Sequence, residues 1–360
     1  MRTLYVAAGG GGDAVGALLA RRALGDTDER PPLVTTCAWE RLRIDPVPGP
    51  RARGDFTGLA NVGGEACEVV PTSETIPPGR SVLPRLAETS GARIFLHDFE
   101  GGAVGLAGQL QRLSASLGVG RLVVLDVGGD IVARGQETTL KSPLADSLTL
   151  AAALGTGIPI TLVVVGPGSD AELPEGEVLG LLAGVGAGEV GRITPDDVKD
   201  LAPVLSWHPT EASALVAAGA RGMRGSVAMR RGQAPVPVTE ITPSVWAVTH
   251  PALASFPLSR LLQATKALTE AEQAMRATAV DEIDFERKVA AEPLSNRPRK
   301  NLSEVVSDMT TTGATHITGR RLSETLSTVD LDKALVSDRG PTDGVWSKED
   351  LARLSRSHRS

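Results

Sequence analysis

The chain has 360 residues, enough for one large domain or two ordinary ones, and its 41% hydrophobic and 22% charged residues are the balance of a soluble globular protein. A net charge of −6 gives no basic field to attract nucleic acid or an anionic membrane, and 3% aromatic residues with one tyrosine, Tyr5, leave little surface for stacking bases. No apolar run approaches the roughly 20 residues of a membrane span, and the sequence opens on a strand pattern rather than a targeting segment, so a cytoplasmic protein without nucleic-acid or membrane partners is expected.

The first apolar run, Thr3–Ala8, ends in Gly9-Gly10-Gly11-Gly12-Asp13, and an apolar helical pattern follows at once from Ala14 to Leu24. A glycine loop between strand and helix lets backbone N–H groups approach a ligand and aims the positive end of the helix at it. Phosphate is therefore the expected guest of Gly10, Gly11 and Gly12. Four further runs, Leu33–Ala38, Arg93–His97, Leu122–Asp126 and Ile160–Val165, lack clean alternation and read as strands buried on both faces. Cys37 falls inside the second and reads as a small buried residue; with Cys67 it makes too few cysteines for a disulfide framework or a cysteine metal site. Helical patterns at Val15–Leu24, Val104–Leu117 and Pro143–Leu154 alternate with the strands. The pattern predicts an α/β fold, a Rossmann-like doubly wound, mostly parallel sheet with a helical C-terminal part.

The predicted organisation is a ligand-binding α/β domain over 1–240, a helical part over 241–335 and a polar, mobile tail over 336–360. The Pro- and Arg-bearing stretch from about Ile44 to Ser90 reads as an ordered active-site loop or an oligomer contact, and a homo-oligomer is expected. Further on, a helix opens at Pro209-Thr210-Glu211-Ala212, a strand covers Ser226–Arg230, one long amphipathic helix runs from Leu258 to Thr278, and another spans Asp281–Ala291.

Each strand ends in a polar or glycine-bearing turn, on the sheet edge where open α/β proteins bind ligands. The first loop loosely satisfies Gly-x-Gly-x-x-Gly/Ala, and Glu40 stands where a dinucleotide fold places an acid on the ribose. Asp13 beside a phosphate would be repulsive without a cation, so it either caps the helix or meets a metal or a sugar hydroxyl. Trp39-Glu40-Arg41, with Arg51 nearby, offers a stacking face, an acid and an anion clamp; the alternative is a Trp that fills a gap and a Glu that pairs with an arginine. Asp98 and Glu100 follow the third strand. Asp126-Val127-Gly128-Gly129-Asp130 repeats the Gly-Gly-acid turn of the first strand. If the two strands are neighbours, Asp13 and Asp130 face one cleft, where they would hold a Mg²⁺ ion or divide acid and base roles; a pair of capped tight turns is the alternative. In Trp207-His208-Pro209-Thr210-Glu211, His208 precedes a helix start and either projects into the cleft with Glu211 or is structural. No zinc-site spacing and no Gly-x-Ser-x-Gly elbow occurs.

The turns Gly9–Gly16, Trp39-Glu40-Arg41 with Asp45–Pro50, and Asp126–Asp130 together resemble a prokaryotic domain-of-unknown-function family, number 1152, and Ser142–Asp146, Pro209–Ala212 and Thr315–Thr318 are similar to its later motifs. The resemblance extends to about residue 325 and implies that these turns belong to one architecture. The expected function is an enzyme that binds a nucleotide, nucleoside or sugar phosphate and catalyses group transfer or hydrolysis. Asp13, Asp98, Asp130 and Glu40 would be catalytic. Gly10, Gly11, Gly12, Trp39, Arg41, Arg51, Glu100, Gly128, Gly129, His208 and Glu211 would bind the ligand. The alternatives are an NAD(P)-dependent oxidoreductase and a non-catalytic ligand sensor or scaffold.

Overall fold

The computed structural model describes residues 2–63, 66–229, 234–278, 281–291, 299–327 and 344–356. In chain order the first half forms β1 (Arg2–Ala7), α1 (Gly11–Ala20), β2 (Leu33–Thr36), β3 (Phe56–Thr57), β4 (Ala60–Gly63), β5 (Ala66–Val69), β6 (Glu74–Thr75), α2 (Leu83–Thr89), β7 (Arg93–Leu96), α3 (Gly102–Leu117), β8 (Val119–Val127), α4 (Leu144–Leu154) and β9 (Ile160–Val165). The second half adds β10 (Gly188–Arg192), β11 (Gly225–Ala228), β12 (Val236–Val238), β13 (Ser244–Val248), β14 (His316–Thr318) and β15 (Val345–Ser347), with helices between them. Nine strands make the main sheet in the order β10-β13-β9-β8-β1-β2-β7-β5-β4. The five apolar runs of the sequence are its parallel centre, β9-β8-β1-β2-β7. The flanking strands β13, β10, β5 and β4 join antiparallel.

The strands alternate strictly even though both faces are covered. Leu4, Val6 and Ala8 face one core layer with Leu122 and Val124 of β8, under Leu106 and Leu110 of α3 and Leu148 of α4. Tyr5 and Ala7 face the other layer with Val123 and Leu125, under Val15 and Leu19 of α1 and Leu83 and Leu86 of α2. Helices on both faces of a mostly parallel sheet make the expected doubly wound, Rossmann-like arrangement. Chain order within the parallel centre runs outward from β1 in two directions, to β2 and β7 on one side and to β8 and β9 on the other. The order therefore reverses between β1 and β8, and a ligand crevice opens there at the carboxyl ends of the strands.

Several elements depart from the sequence reading. The stretch from Ile44 to Ser90 is not one long loop: it holds the β3–β6 pair, the β4–β5 hairpin that extends the main sheet, and α2. Its hydrogen bonds are long-range, which local patterns do not reveal. The helix expected over Leu258–Thr278 is two helices, Pro257–Leu262 and Leu268–Arg276. Thr265 interrupts it: its hydroxyl bonds the Leu262 carbonyl at 2.7 Å and accepts the Ala103 N–H at 3.1 Å, which docks the break on the start of α3. A second sheet, β12-β11-β14-β15, takes strands from both sides of the expected 240/241 boundary, whereas β13 belongs to the main sheet. Of the expected mobile tail, residues 344–356 are folded as β15 and the helix Lys348–Arg356, because Trp346, Leu351 and Leu354 close a small core with Leu302, Val305 and Ile317. Residues 336–343 and 357–360 lie outside the described residues, as does Arg230. The helix Ala212–Ala220 is buried nearly all round because it packs against both sheets, Val216 and Ala217 on one side and Leu215 and Ala218 on the other. Among the described residues no helix is long and apolar enough to cross a membrane.

Close approach of α1 to β8 explains its glycine content. A Cβ on Gly16 would lie 2.1 Å from Val127 Cγ2. Gly→Ala inside a helix ordinarily gains about 0.5–1 kcal/mol. Here the β-branched Val127 cannot yield, so Gly16→Ala should instead lose about 1–3 kcal/mol in denaturant unfolding; a gain in stability would contradict this packing.

Candidate active site

The cleft at the β1/β8 junction is built by three strand-end turns and one helix start. After β1 the chain turns at Gly10, whose φ of +115° lies where a side chain is strained, and α1 begins at Gly11. Asp13, in the first turn of α1, folds back: Oδ2 accepts the Gly9 N–H at 2.6 Å and Oδ1 the Val127 N–H at 3.3 Å. One carboxylate thus ties the end of β1 to the end of β8.

Alternation along β8 puts Asp126 on the face of Leu122 and Val124, the face covered by α4, and Asp146 stands in the first turn of α4. Beyond Asp126, Gly128 and Gly129 have φ of +126° and +112°, and Asp130 opens a short 3₁₀ turn. A Cβ on Gly128 would fall 2.3 Å from the Asp170 carboxyl carbon, and one on Gly129 2.3 Å from Val178 Cγ1. These two glycines serve the turn's backbone and its packing under Asp170 and do not line the cleft. The turn after β9 supplies Asp170 and Glu172. Asp170 Oδ1 accepts the Glu172 N–H at 2.9 Å, and Glu172 accepts the N–H groups of Lys141 at 2.7 Å and Ser142 at 2.9 Å and the Ser142 hydroxyl. Ala171 between them has φ of +67°, the one non-glycine residue in the left-handed region among the described residues. Its strain turns both acids toward the same space.

Six buried carboxylates therefore line one wall: Asp13, Asp126, Asp130, Asp146, Asp170 and Glu172. Ligand oxygens of Asp13, Asp126 and Asp146 lie within 4.8 Å of one another. Asp126 Oδ2 and Asp146 Oδ1 are buried with no hydrogen-bond partner. Among the described residues, no lysine or arginine forms an ion pair with Asp13, Asp126, Asp130 or Asp146. Burial pushes the Asp13 carboxyl up to about 7 against the pull of its two N–H donors, and Asp170 adds to the rise. Asp126, Asp130 and Asp146 are held well above the ordinary carboxylate range, first by burial and then by the charge of neighbouring acids: Asp13 and Asp170 on Asp126, Asp146 and Asp126 on Asp130, and Asp126 and Asp13 on Asp146.

The facing wall differs in character. Trp39, Glu40, Arg41 and Ile44 follow β2; His208, Thr210 and Glu211 precede the helix Ala212–Ala220; Met229 and Arg320 come from the C-terminal part. The Trp39 indole is fixed by Nε1 donating to Glu286 at 3.0 Å. Glu40 Oε1 accepts the Val82 N–H at 2.9 Å and the Ser81 hydroxyl at 3.1 Å, and burial raises its carboxyl. Burial lowers the His208 imidazole to about 3, so it is neutral. Its Nδ1 accepts the Thr210 N–H at 3.2 Å, which leaves the proton on Nε2. Nε2 is buried without a partner and lies 3.4 Å from where a Cβ on Gly11 would stand, so this donor faces the first turn of α1. Glu211 is held by the Thr318 hydroxyl at 2.6 Å and by Arg320 at 3.5 Å.

The structure brings together Gly11, Gly12, Asp13, Trp39, Glu40, Arg41, Asp130, His208 and Glu211 of the residues singled out in the sequence. Gly10 supports the loop from behind, against the Trp39 carbonyl. Arg51 is not in the cleft: it makes a buried two-pronged pair with Asp45 at 2.5 and 2.6 Å, because the Asp45–Pro50 turn folds back on itself. Asp98 is not there either; it accepts N–H groups of Arg53 and Glu100 and the Gln109 amide, and so holds the β7 turn. Glu100 is exposed outside the cleft. Asp126, Asp146, Asp170, Glu172 and Arg320 join the site without having been assigned to it. Asp126 carried a signal, an acid inside an otherwise apolar strand, and Asp170 one as the end of the fifth run. Glu172 and Arg320 carried none, since only the folded chain brings them in.

Fold and site define a doubly wound α/β protein with an acid-lined cleft at its topological switch point. The chain belongs to the family described as "Protein of unknown function (DUF1152)", whose family model matches residues 4–290 rather than extending to 325. No curated protein and no solved structure matches the chain.

Behind the acid wall, Glu282 accepts the Leu144 N–H at 3.3 Å. Burial, with Glu172 and Glu286 adding to it, raises its carboxyl from 4.5 to about 8. A raised acid binds its proton more tightly folded than unfolded, so its contribution to stability is lost as pH rises from about 4.5 to about 8. Glu282→Gln should therefore unfold at higher temperature than the parent at pH 8 to 9, by on the order of 1 kcal/mol, and alike near pH 4.5. Identical melting at both ends of that range would contradict the assignment.

Proposed function

We propose that the chain is an enzyme that binds a nucleotide, nucleoside or sugar phosphate at the carboxyl edge of the main sheet and catalyses group transfer or hydrolysis with its clustered carboxylates. The observation that carries this reading is one cleft that gathers six buried carboxylates with Arg41, Arg320, the buried Nε2–H of His208 and the start of α1. A ligand with both hydroxyls and a phosphate matches that combination. The phosphate meets the helix start and His208. Glu40 and Glu211 accept sugar hydroxyls, and Trp39 contributes the apolar surface. Carboxyls raised by burial and by their neighbours, as Asp13 and Asp130 are, retain a proton for a leaving group, and the acid of the coupled group that ionises first activates water or an acceptor hydroxyl.

Two contacts weigh against hydride transfer with NAD(P). Asp13 occupies the Gly9 N–H in the loop where a pyrophosphate would approach, and one oxygen of Glu40 is committed to Val82 and Ser81. Thermal shift with NAD(H) against nucleoside and sugar phosphates separates the two readings.

Incubation of the full chain with nucleoside mono- and triphosphates, nucleosides and sugar phosphates, followed by assay for released phosphate, base or sugar, is expected to show turnover of at least one class. Asp130→Asn should then lower kcat/KM about 100-fold or more. Arg320→Ala should chiefly raise KM, as expected for an anchor that holds substrate and transition state alike. Absence of both binding and turnover across the panel would refute the reading, as would an Asp130→Asn variant of unchanged kcat/KM.

A further inference from the structure

We propose that Asp13, Asp126 and Asp146 hold a divalent cation of the Mg²⁺ class, and that a phosphate seated on the first turn of α1 and on His208 completes its coordination. The phosphate part rests on the function proposed above; the cation part does not.

The donor set argues for the cation. Three carboxylates from β8 and the starts of α1 and α4 converge within 4.8 Å. An octahedral ion with oxygen ligands at about 2.1 Å sets neighbouring oxygens about 3 Å apart and opposite ones about 4.2 Å apart, so small adjustments of these side chains close the shell. Oxygen-only donors select a hard ion, Mg²⁺ or its surrogate Mn²⁺, over zinc or copper. Three protein ligands leave positions for water or substrate oxygen, the usual arrangement for an ion that works with a phosphate. Asp126 and Asp146 are 2% and 4% exposed, yet each keeps an oxygen without a partner. Uncompensated buried carboxylates are costly, and native proteins leave such groups orphaned where a ligand satisfies them.

A second observation comes from outside the acids. His208 is 8% exposed, its Nε2 has no partner, and it faces the start of α1. A neutral imidazole N–H aimed at a helix N-terminus wants an oxygen acceptor, not a metal. The two glycines let the start of α1 pack closely: a Cβ on Gly11 would lie 2.9 Å from Val82 Cγ2 and 3.4 Å from His208 Nε2, and one on Gly12 3.1 Å from Thr210 Oγ1. Asp13, in the same helical turn, joins the start of α1 to the acid cluster, so a cation held by the cluster would stand between Asp13 and an anion at that turn. This resolves the conflict of an acid in a phosphate loop: the cation lies between like charges.

Titration of the chelator-treated full chain with Mn²⁺, followed by electron paramagnetic resonance and calorimetry, tests the cation. Saturable binding of about one tight ion is expected, weakened at least tenfold in Asp126→Asn and in Asp146→Asn. In chelator these two variants should melt at the same temperature as the parent or higher, because each replaces an unsatisfied buried acid that its acidic neighbours disfavour. A purely structural role predicts the reverse, lower melting with Mn²⁺ affinity retained. No saturable binding up to roughly 10 mM Mn²⁺ would overturn the proposal. Inorganic phosphate should bind more tightly with Mg²⁺ present than in chelator, and His208→Phe should lose that gain yet keep Mn²⁺ affinity; equal phosphate binding in both conditions would overturn the shared site. Mn²⁺ binding without turnover of any substrate refutes the enzyme reading alone, and turnover that survives chelation refutes the cation alone.

Discussion

Four aspartates with no cationic partner among the described residues, at the junction of two parallel strands, are the constraint on which this structure turns. Like charges in a low-dielectric site repel strongly, and an isolated buried carboxylate is among the least tolerated groups in a protein. The fold nonetheless commits three separate segments to bringing them there. β1 delivers Asp13 through a glycine loop, β8 carries Asp126 on its α4 face and Asp130 beyond a double glycine, and α4 begins with Asp146. Backbone N–H groups of Gly9 and Val127 hold Asp13, but Asp126 and Asp146 keep oxygens that nothing in the described chain satisfies. Stability alone does not call for such an arrangement.

The surrounding architecture is organised to keep those residues in place. Two apolar layers cover the parallel centre of the sheet on both faces and pack against the strands that carry the switch point. The helix Ala212–Ala220, packed between the two sheets, fixes the segment that presents His208 and Glu211. The small C-terminal sheet then reaches back: Thr318 at the end of β14 caps the next helix through the Arg321 N–H and donates to Glu211, while Arg320 enters the cleft. These residues lie beyond the segment matched by the family model.

Much of this was legible before folding. Five apolar runs became the five parallel strands because buried strands need continuous hydrophobicity, a local property. The twin Gly-Gly-acid turns placed Asp13 and Asp130 in one cleft because β1 and β8 are neighbours. Arg51 and Asp98 were misplaced for the same reason that made them attractive: charged residues near strand ends also hold turns, and Asp45 and Gln109 were nearer partners than any ligand. The edge strand β10 and the β4–β5 hairpin were silent, since Gly188–Arg192 and Ala60–Gly63 are short and largely polar or small. Asp146, Glu172 and Arg320 depend on tertiary placement that no window of sequence encodes.

The central claim is that the acid wall exists to bind a cation. Crystals of the full chain grown with Mn²⁺ and measured at a wavelength where manganese scatters anomalously test it most directly. The account predicts one strong anomalous peak bonded to Asp13, Asp126 and Asp146, on the side of the cleft facing the start of α1. An empty cluster with the three carboxylates still gathered, or a peak bonded elsewhere, would contradict it.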